Sequence, residues 1–213
     1  DSGGFARTPR GLGPGGPMTM VFGRRAFFGR YVASAEETFW FSNLASADPP
    51  DRTDRDQISL VTVRDRLAEQ HAGDPPWIGE LLAHDLPLGL WPTYDLPPLP
   101  TWHAGKVCLL GDAAHATSPH IGQGASLALE DAELLAALLA ELPAEDAFPR
   151  FEAARKPRVE RLVREARRMG SRKVPSSAFA CWFRDRTLPF FLRMGDKQMD
   201  WVYGYRPGAL GPA

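Results

Sequence analysis

Cysteine is scarce in this chain. Cys108 and Cys181 are the only two, and their spacing forms no metal-ligand set. A reduced, cytoplasmic setting is the default expectation, with Cys108 packing in a strand. Long apolar runs are missing too. None approaches the roughly 20 residues that span a bilayer, so no membrane partner is expected. No secretory signal is evident at the amino end. Neither sign of charge dominates: 25 Lys and Arg stand against 26 Asp and Glu, a net charge of −1, which gives no reason to expect nucleic acid or a charged membrane surface. No Gly-x-Ser-x-Gly and no Walker A string occurs, so a serine hydrolase or a P-loop enzyme has no foothold. There is no internal repeat and no low-complexity linker; 20 glycines and 20 prolines indicate many loops instead.

What is present is ordinary globular material. At 213 residues and 44% hydrophobic, the chain is long enough to bury a core in one or two domains. Residues 18–22, 26–33 and 38–44 read as strands rich in aromatic and β-branched residues, with turns at 23–25 and 34–37. That pattern predicts an antiparallel sheet. A polar loop at 48–55 is followed by a helix over 56–71, with Ile58, Val61, Leu67 and Ala68 on one side, a short helix over 76–84 and a strand over 86–94. Residues 176–194 read as a last helical region, rich in aromatics and interrupted at Pro189.

The run Gly11-Leu12-Gly13-Pro14-Gly15-Gly16 fits the bare dinucleotide-binding string. It is rejected as one. That fingerprint needs a buried strand before it and a helix after it. Here residues 1–10 are polar and short, Pro14 and Pro17 break the segment, and a strand follows at 18–22.

The most informative stretch is residues 106–139, KVCLLGDAAHATSPHIGQGASLALEDAELLAALL. Val107-Cys108-Leu109-Leu110 is a short apolar run ending at Gly111, which reads as a buried strand. Asp112 stands at its carboxyl end, where a carboxylate can accept hydrogen bonds from ligand hydroxyls or cap the next turn through its own backbone. Gly122-Gln123-Gly124 precedes Ala125, and from there Leu127, Leu134, Leu135, Leu138 and Leu142 recur at helical spacing, predicting a helix over 124–141. The two glycines let the backbone approach a ligand and expose N–H groups at the helix start. Such an end favours electron-rich groups by roughly 0.3–1 kcal/mol.

The whole string, GDAAH, then Pro119, then GQG, then ALEDA, resembles the second flavin-contacting motif of the para-hydroxybenzoate hydroxylase-like flavoprotein monooxygenases. The approach through Trp91-Pro92-Thr93-Tyr94-Asp95 and Leu99-Pro100-Thr101-Trp102, the helix over 148–169 with Arg-Lys-Pro-Arg at 155–158, and Trp201-Val202-Tyr203-Gly204-Tyr205 resemble that family as well. The resemblance is strong over 86–170 and looser outside it. It implies that Asp112 hydrogen-bonds the ribityl chain of FAD, that Pro119 lies against the isoalloxazine region near where oxygen reacts, and that Gly122, Gln123, Gly124 and Ala125 form the turn whose amides meet the pyrimidine edge. The co-substrates implied are NAD(P)H and molecular oxygen, and the substrate an aromatic or polyketide-like small molecule. A general acid or base does not stand out, which suits chemistry carried by a cofactor. A metal site could be drawn from Asp112, His115 and His120, but their spacing matches no usual metal motif and the flavin reading explains the same residues.

The expected fold class is therefore an α/β (α+β) mixture: an antiparallel substrate-domain sheet with short helices over 1–100, the C-terminal strand–helix part of an FAD-binding Rossmann-like domain over 101–170, and a C-terminal helical region over 171–213. In the resembling family the sheet roofs the flavin, which makes Phe39, Trp40, Phe41 and Trp91 either pocket or core residues; core packing is the favoured reading. Residues 150–173 hold ten basic residues against three acids. They read as an amphipathic helix with a solvated basic face, or else as a steering field for an anionic substrate or NADPH phosphates. Pro157 should kink or interrupt that helix.

The family's N-terminal strand, Gly-x-Gly-x-x-Gly turn and helix, which hold the ADP half of FAD, and its middle Gly-Asp motif are not visible. The chain is expected to be the C-terminal half of a flavoprotein monooxygenase about twice this length, inactive alone and binding little FAD until the N-terminal half is supplied. A related FAD reductase or halogenase, or a catalytically silent fragment acting as a binding module, are the alternatives.

Overall fold

The computed structural model describes residues 1–44, 60–83, 88–173 and 177–207. The chain divides into two compact units, Asp1–Pro92 with Arg172–Phe183, and Thr93–Ser171 with Arg184–Ala213.

In the first unit, five strands form one antiparallel sheet: β1 (Ser2–Arg7), β2 (Thr19–Phe22), β3 (Ala26–Val32), β4 (Glu37–Leu44) and β5 (Leu88–Leu90), in the order β2-β3-β4-β1-β5. The three expected strands are there. β1 was not expected, because Gly3 and Gly4 give it poor strand propensity. It exists because β4 and β5 pair with it on both sides, and tertiary pairing overrides propensity. The glycine-rich run after it leads into β2 rather than into a helix.

Alternation along the strands sorts the aromatics. Ala6, Phe28, Trp40 and Leu88 face helices α1 (Leu60–Gln70) and α2 (Pro76–Leu82), closing a core with Val63, Leu67, Ile78, Leu81 and Leu82. The parts of the expected helices and strand at 56–59, 84 and 86–87 lie outside the described residues. A polar tie crosses this core: His71 Nε2 lies 2.8 Å from Ser42 Oγ, and its Nδ1 lies 2.7 Å from Asp74 Oδ2. Phe39 and Phe41 point to the other face. There Phe41 lies over Gly29, where a Cβ would come within 2.3 Å of its ring, and Trp91 lies over Gly89 at 2.1 Å by the same measure. Of the four aromatics named from sequence, Trp40 is thus a core residue, while Trp91 is 54% exposed.

The second unit begins with a small hairpin, β6 (His103–Ala104) and β7 (Val107–Cys108). The run at 107–110 is therefore not the buried strand its sequence predicts. Among the described residues β7 pairs only with β6, and Val107 is 63% exposed. There follow α3 (Asp112–His115), a 3₁₀ turn (Pro119–Ile121), α4 (Gly124–Glu141), α5 (Ala144–Lys173, of which the part up to Ser171 belongs to this unit) and α6 (Ala178–Tyr203, of which the part from Arg184 belongs to it). Trp102, Leu127, Leu134, Phe151, Val159, Leu162, Val163 and Val202 build the core. α4 has the bounds expected from sequence. α5 runs through Pro149 and Pro157, where a kink or an interruption was expected at 157, and α6 runs through Pro189, where an interruption was expected. On either side of Pro157, Arg155 bonds Asp131 and Arg158 bonds Glu130, both on α4.

Glu152 fastens the hairpin to α5. Its Oε2 accepts from the Trp102 backbone N–H at 2.7 Å, from Thr101 Oγ1 at 2.9 Å and lies 2.9 Å from His103 Nδ1; Oε1 accepts from Lys156 at 3.1 Å. Burial pushes this carboxyl upward, but the donors from Trp102, Lys156, Thr101 and His103 outweigh it and hold it at about 2, against 4.5 for an ordinary Glu. A carboxyl depressed by folding stabilises above its unfolded pKa and loses that contribution as pH falls through its folded one. The chain should therefore weaken between pH 4.5 and about 2. Glu152→Gln should flatten that limb, read as urea midpoints across the acid range; an unchanged acid limb would show that other carboxylates govern it.

Candidate functional site

The site is built on the turn between β7 and α4. Gly111 has φ +56, the left-handed region that favours glycine. A Cβ there would stand 3.2 Å from Ala128 Cβ, so the turn is pressed against the second turn of α4. Asp112 is the first residue of α3, and its side chain is exposed. The loop then passes Ser118 and enters the 3₁₀ turn at Pro119, which is exposed. Gly122 closes that turn at φ +64, its N–H donating to the Pro119 carbonyl at 3.0 Å. Gln123 is buried, Gly124 partly buried and Ala125 exposed. Among the described residues no side chain caps the amino end of α4. The first amides of a helix have no partner within it. Two hydroxyls beneath this loop, Thr117 Oγ1 and Ser118 Oγ, are buried and have no hydrogen-bond partner among the described residues.

Beneath the turn lies a network whose pairings the sequence reading missed, although its residues stand within the strings quoted for the resemblance. Asp131, fully buried, places Oδ2 2.9 Å from the Gly111 N–H and 2.6 Å from His115 Nε2, and its Oδ1 accepts from Arg155 Nε at 2.7 Å. Arg155, also fully buried, reaches Glu130 at 2.7 Å. Glu130 in turn accepts two bonds from Arg158, at 2.9 and 3.0 Å. Arg158 continues to the carbonyls of Trp201 and Val202 and stacks on Tyr205 at 4.0 Å, which ties down the closing segment.

Burial pushes the Asp131 carboxyl upward, but His115, the Gly111 amide and Arg155 outweigh it and hold it below its ordinary value. For Arg155, burial works against the charge, and bonds to Asp131, Tyr205 and Glu130 raise it above its ordinary value. The signal for this network was present in the periodicity. Asp131 sits on the apolar stripe of α4 with Leu127 and Leu134, and Arg155 on that of α5 with Phe151, Val159 and Leu162. Opposite charges on two facing apolar stripes must meet or pay for desolvation.

The basic stretch of α5 is correspondingly quieter than its composition suggests. Arg155 and Arg158 are tied to acids within the unit, Lys156 to Glu152, and Arg167 to Asp95 at 2.8 Å, while Arg164 and Arg168 stay largely exposed.

Residues 99–166 match the family described as FAD binding domain. The aurachin C monooxygenase/isomerase of Stigmatella aurantiaca is 33% identical over 166 residues, which cover 76% of this chain and 41% of that protein. The 6-hydroxynicotinate 3-monooxygenase of Pseudomonas fluorescens is 31% identical over 136 residues, 62% of this chain and 34% of that protein. Among solved structures, Klebsiella pneumoniae HpxO complexed with FAD and uric acid superposes with a TM-score of 0.76 at 26% identity, covering 99% of this chain and 53% of HpxO. The mixed α/β architecture, an antiparallel sheet plus helices, matches that fold. The chain spans less than half the length of these curated relatives and about half that of the solved structure.

Proposed function

We propose that this chain, a homologue of FAD-dependent aromatic monooxygenases, is the C-terminal part of such an enzyme: one that uses NAD(P)H and molecular oxygen to hydroxylate an aromatic or polyketide-like small molecule in the cytoplasm. Residues 1–100 serve as the substrate domain, 101–170 complete an FAD-binding Rossmann-like domain, and 171–213 close the chain as a helical region. An N-terminal half supplies the ADP site.

One observation carries this reading. The exposed carboxylate of Asp112 follows a turn whose Gly111 is pressed against α4, the long helix whose amino end no side chain caps among the described residues. These residues fit a flavin. Asp112 accepts hydrogen bonds from the ribityl hydroxyls. The amides of the turn Gly122-Gln123-Gly124-Ala125 would hold the pyrimidine edge, since the amino end of a helix favours electron-rich groups. Gln123 contributes its backbone, since its side chain is buried. Pro119 presents a rigid apolar surface beside the ring and keeps water from the reacting centre. Bound FAD, once reduced, supplies the oxygen activation.

Asp112→Ala tests the assignment on the intact flavoprotein. Its side chain is exposed, so the fold should survive unchanged by circular dichroism. Loss of charge-assisted hydrogen bonds worth roughly 1.5–3 kcal/mol should weaken FAD about ten- to hundred-fold in a titration. An unchanged FAD affinity would remove Asp112 from the site.

A further inference from the structure

We infer that Asp131 is a positioning residue for the cofactor: it aims Asp112 without touching the ligand. The inference rests on the flavin reading of Asp112 given above. Its basis is one oxygen atom. Asp131 Oδ2 takes hydrogen bonds from the residue just before Asp112, through the Gly111 N–H at 2.9 Å, and from the far end of the same helical turn, through His115 Nε2 at 2.6 Å. α3 is four residues long, too short to hold its own direction. It is gripped at both ends by a single atom.

That atom is itself fixed. Arg155 Nε holds the other oxygen of the carboxylate at 2.7 Å, and Arg155 is fully buried. Asp131 stands on α4, the same helix whose amino end supplies the other half of the site. The turn that carries the carboxylate is thereby tied to the helix that carries the amides, alongside the packing of Ala114 in the core and of His115 against Trp102. Preorganisation of this kind lowers the ordering that a ligand must otherwise impose.

The test is a double-mutant cycle on FAD affinity in the intact flavoprotein, with Asp112→Ala, Asp131→Asn and the two combined. Asp131→Asn should weaken FAD about ten-fold at a temperature where circular dichroism shows it folded. The double variant should bind no more weakly than Asp112→Ala alone, because Asp131 acts through Asp112. Effects that multiply, or wild-type affinity in folded Asp131→Asn, would overturn the inference. If Asp131→Asn does not fold, His115→Phe removes one of the two grips and should shift affinity in the same direction by a smaller factor.

A second measurement needs no cofactor. Amide hydrogen exchange over residues 112–116 of this chain should speed up in Asp131→Asn or His115→Phe, while α4 away from residue 131 stays protected. Unchanged exchange there would refute the grip itself. Wild-type protein that fails to bind FAD would instead overturn the flavin reading, and the exchange experiment would still decide whether Asp131 holds the turn.

Discussion

Arg155→Met is expected to cost about 3–5 kcal/mol, the usual penalty for breaking a buried ion pair from one side. The guanidinium is fully buried and touches both Asp131 and Glu130. Met replaces its volume but none of its donors. Asp131 then keeps a charge inside the core with only the Gly111 and His115 donors left. Urea denaturation at neutral pH measures the loss as a shift in midpoint. The acid limb carries a second signature. The native Asp131 carboxyl is held below its ordinary 3.8, so it stabilises above that pH and the benefit is lost as pH falls through its lower folded value. Removing Arg155 removes part of that depression, and the deficit of the variant should shrink as the pH is taken down. A loss under about 1 kcal/mol, typical of exposed pairs, would mean that water reaches the carboxylate.

Phe28→Ala should be comparably severe in the first unit, about 3–5 kcal/mol for a fully buried aromatic. Phe28 stacks on Trp40 with centroids 5.6 Å apart and planes 8° apart, and meets the rings of His71 and Trp77 edge-on at 5.2 and 5.8 Å. Deleting it removes the centre of an aromatic cluster that joins β3 and β4 to α1 and α2 and shelters the Ser42–His71–Asp74 tie. Phe28→Leu keeps most of the volume and should lose much less. Amide exchange in β3 and β4 reads the difference strand by strand. Slow exchange retained in Phe28→Ala would show that the sheet holds without that ring.

Local chemistry made much of the architecture legible. α4 has a glycine pair before it and an apolar stripe along it, and its bounds could be read at both ends. β2, β3 and β4 carry aromatic alternation and clear turns. β1 could not be read, since two adjacent glycines say nothing about the neighbours that pair with them. The prolines of α5 and α6 pointed to a kink or a break because local propensity alone cannot see the tertiary setting of a helix.

The candidate site divides along the same line. Asp112, Pro119 and the Gly122–Ala125 turn are contiguous in sequence and were visible as a motif. Asp131, His115, Arg155 and Arg158 are brought together by packing. Each reads alone as a helix residue of the appropriate charge, and only the placement of Asp131 and Arg155 among leucines and phenylalanine hints at a partner.

The ring-over-glycine pairs of the first unit carry a lesson for redesign. Phe41 and Trp91 can lie as close as they do because positions 29 and 89 offer them bare backbone to rest on. The seating of the two rings on that aromatic wall is thus encoded where no side chain exists. Libraries meant to retune the wall should diversify 41 and 91 and freeze 29 and 89, since a single methyl at either glycine would tilt the tile above it and leave the palette of the others unchanged.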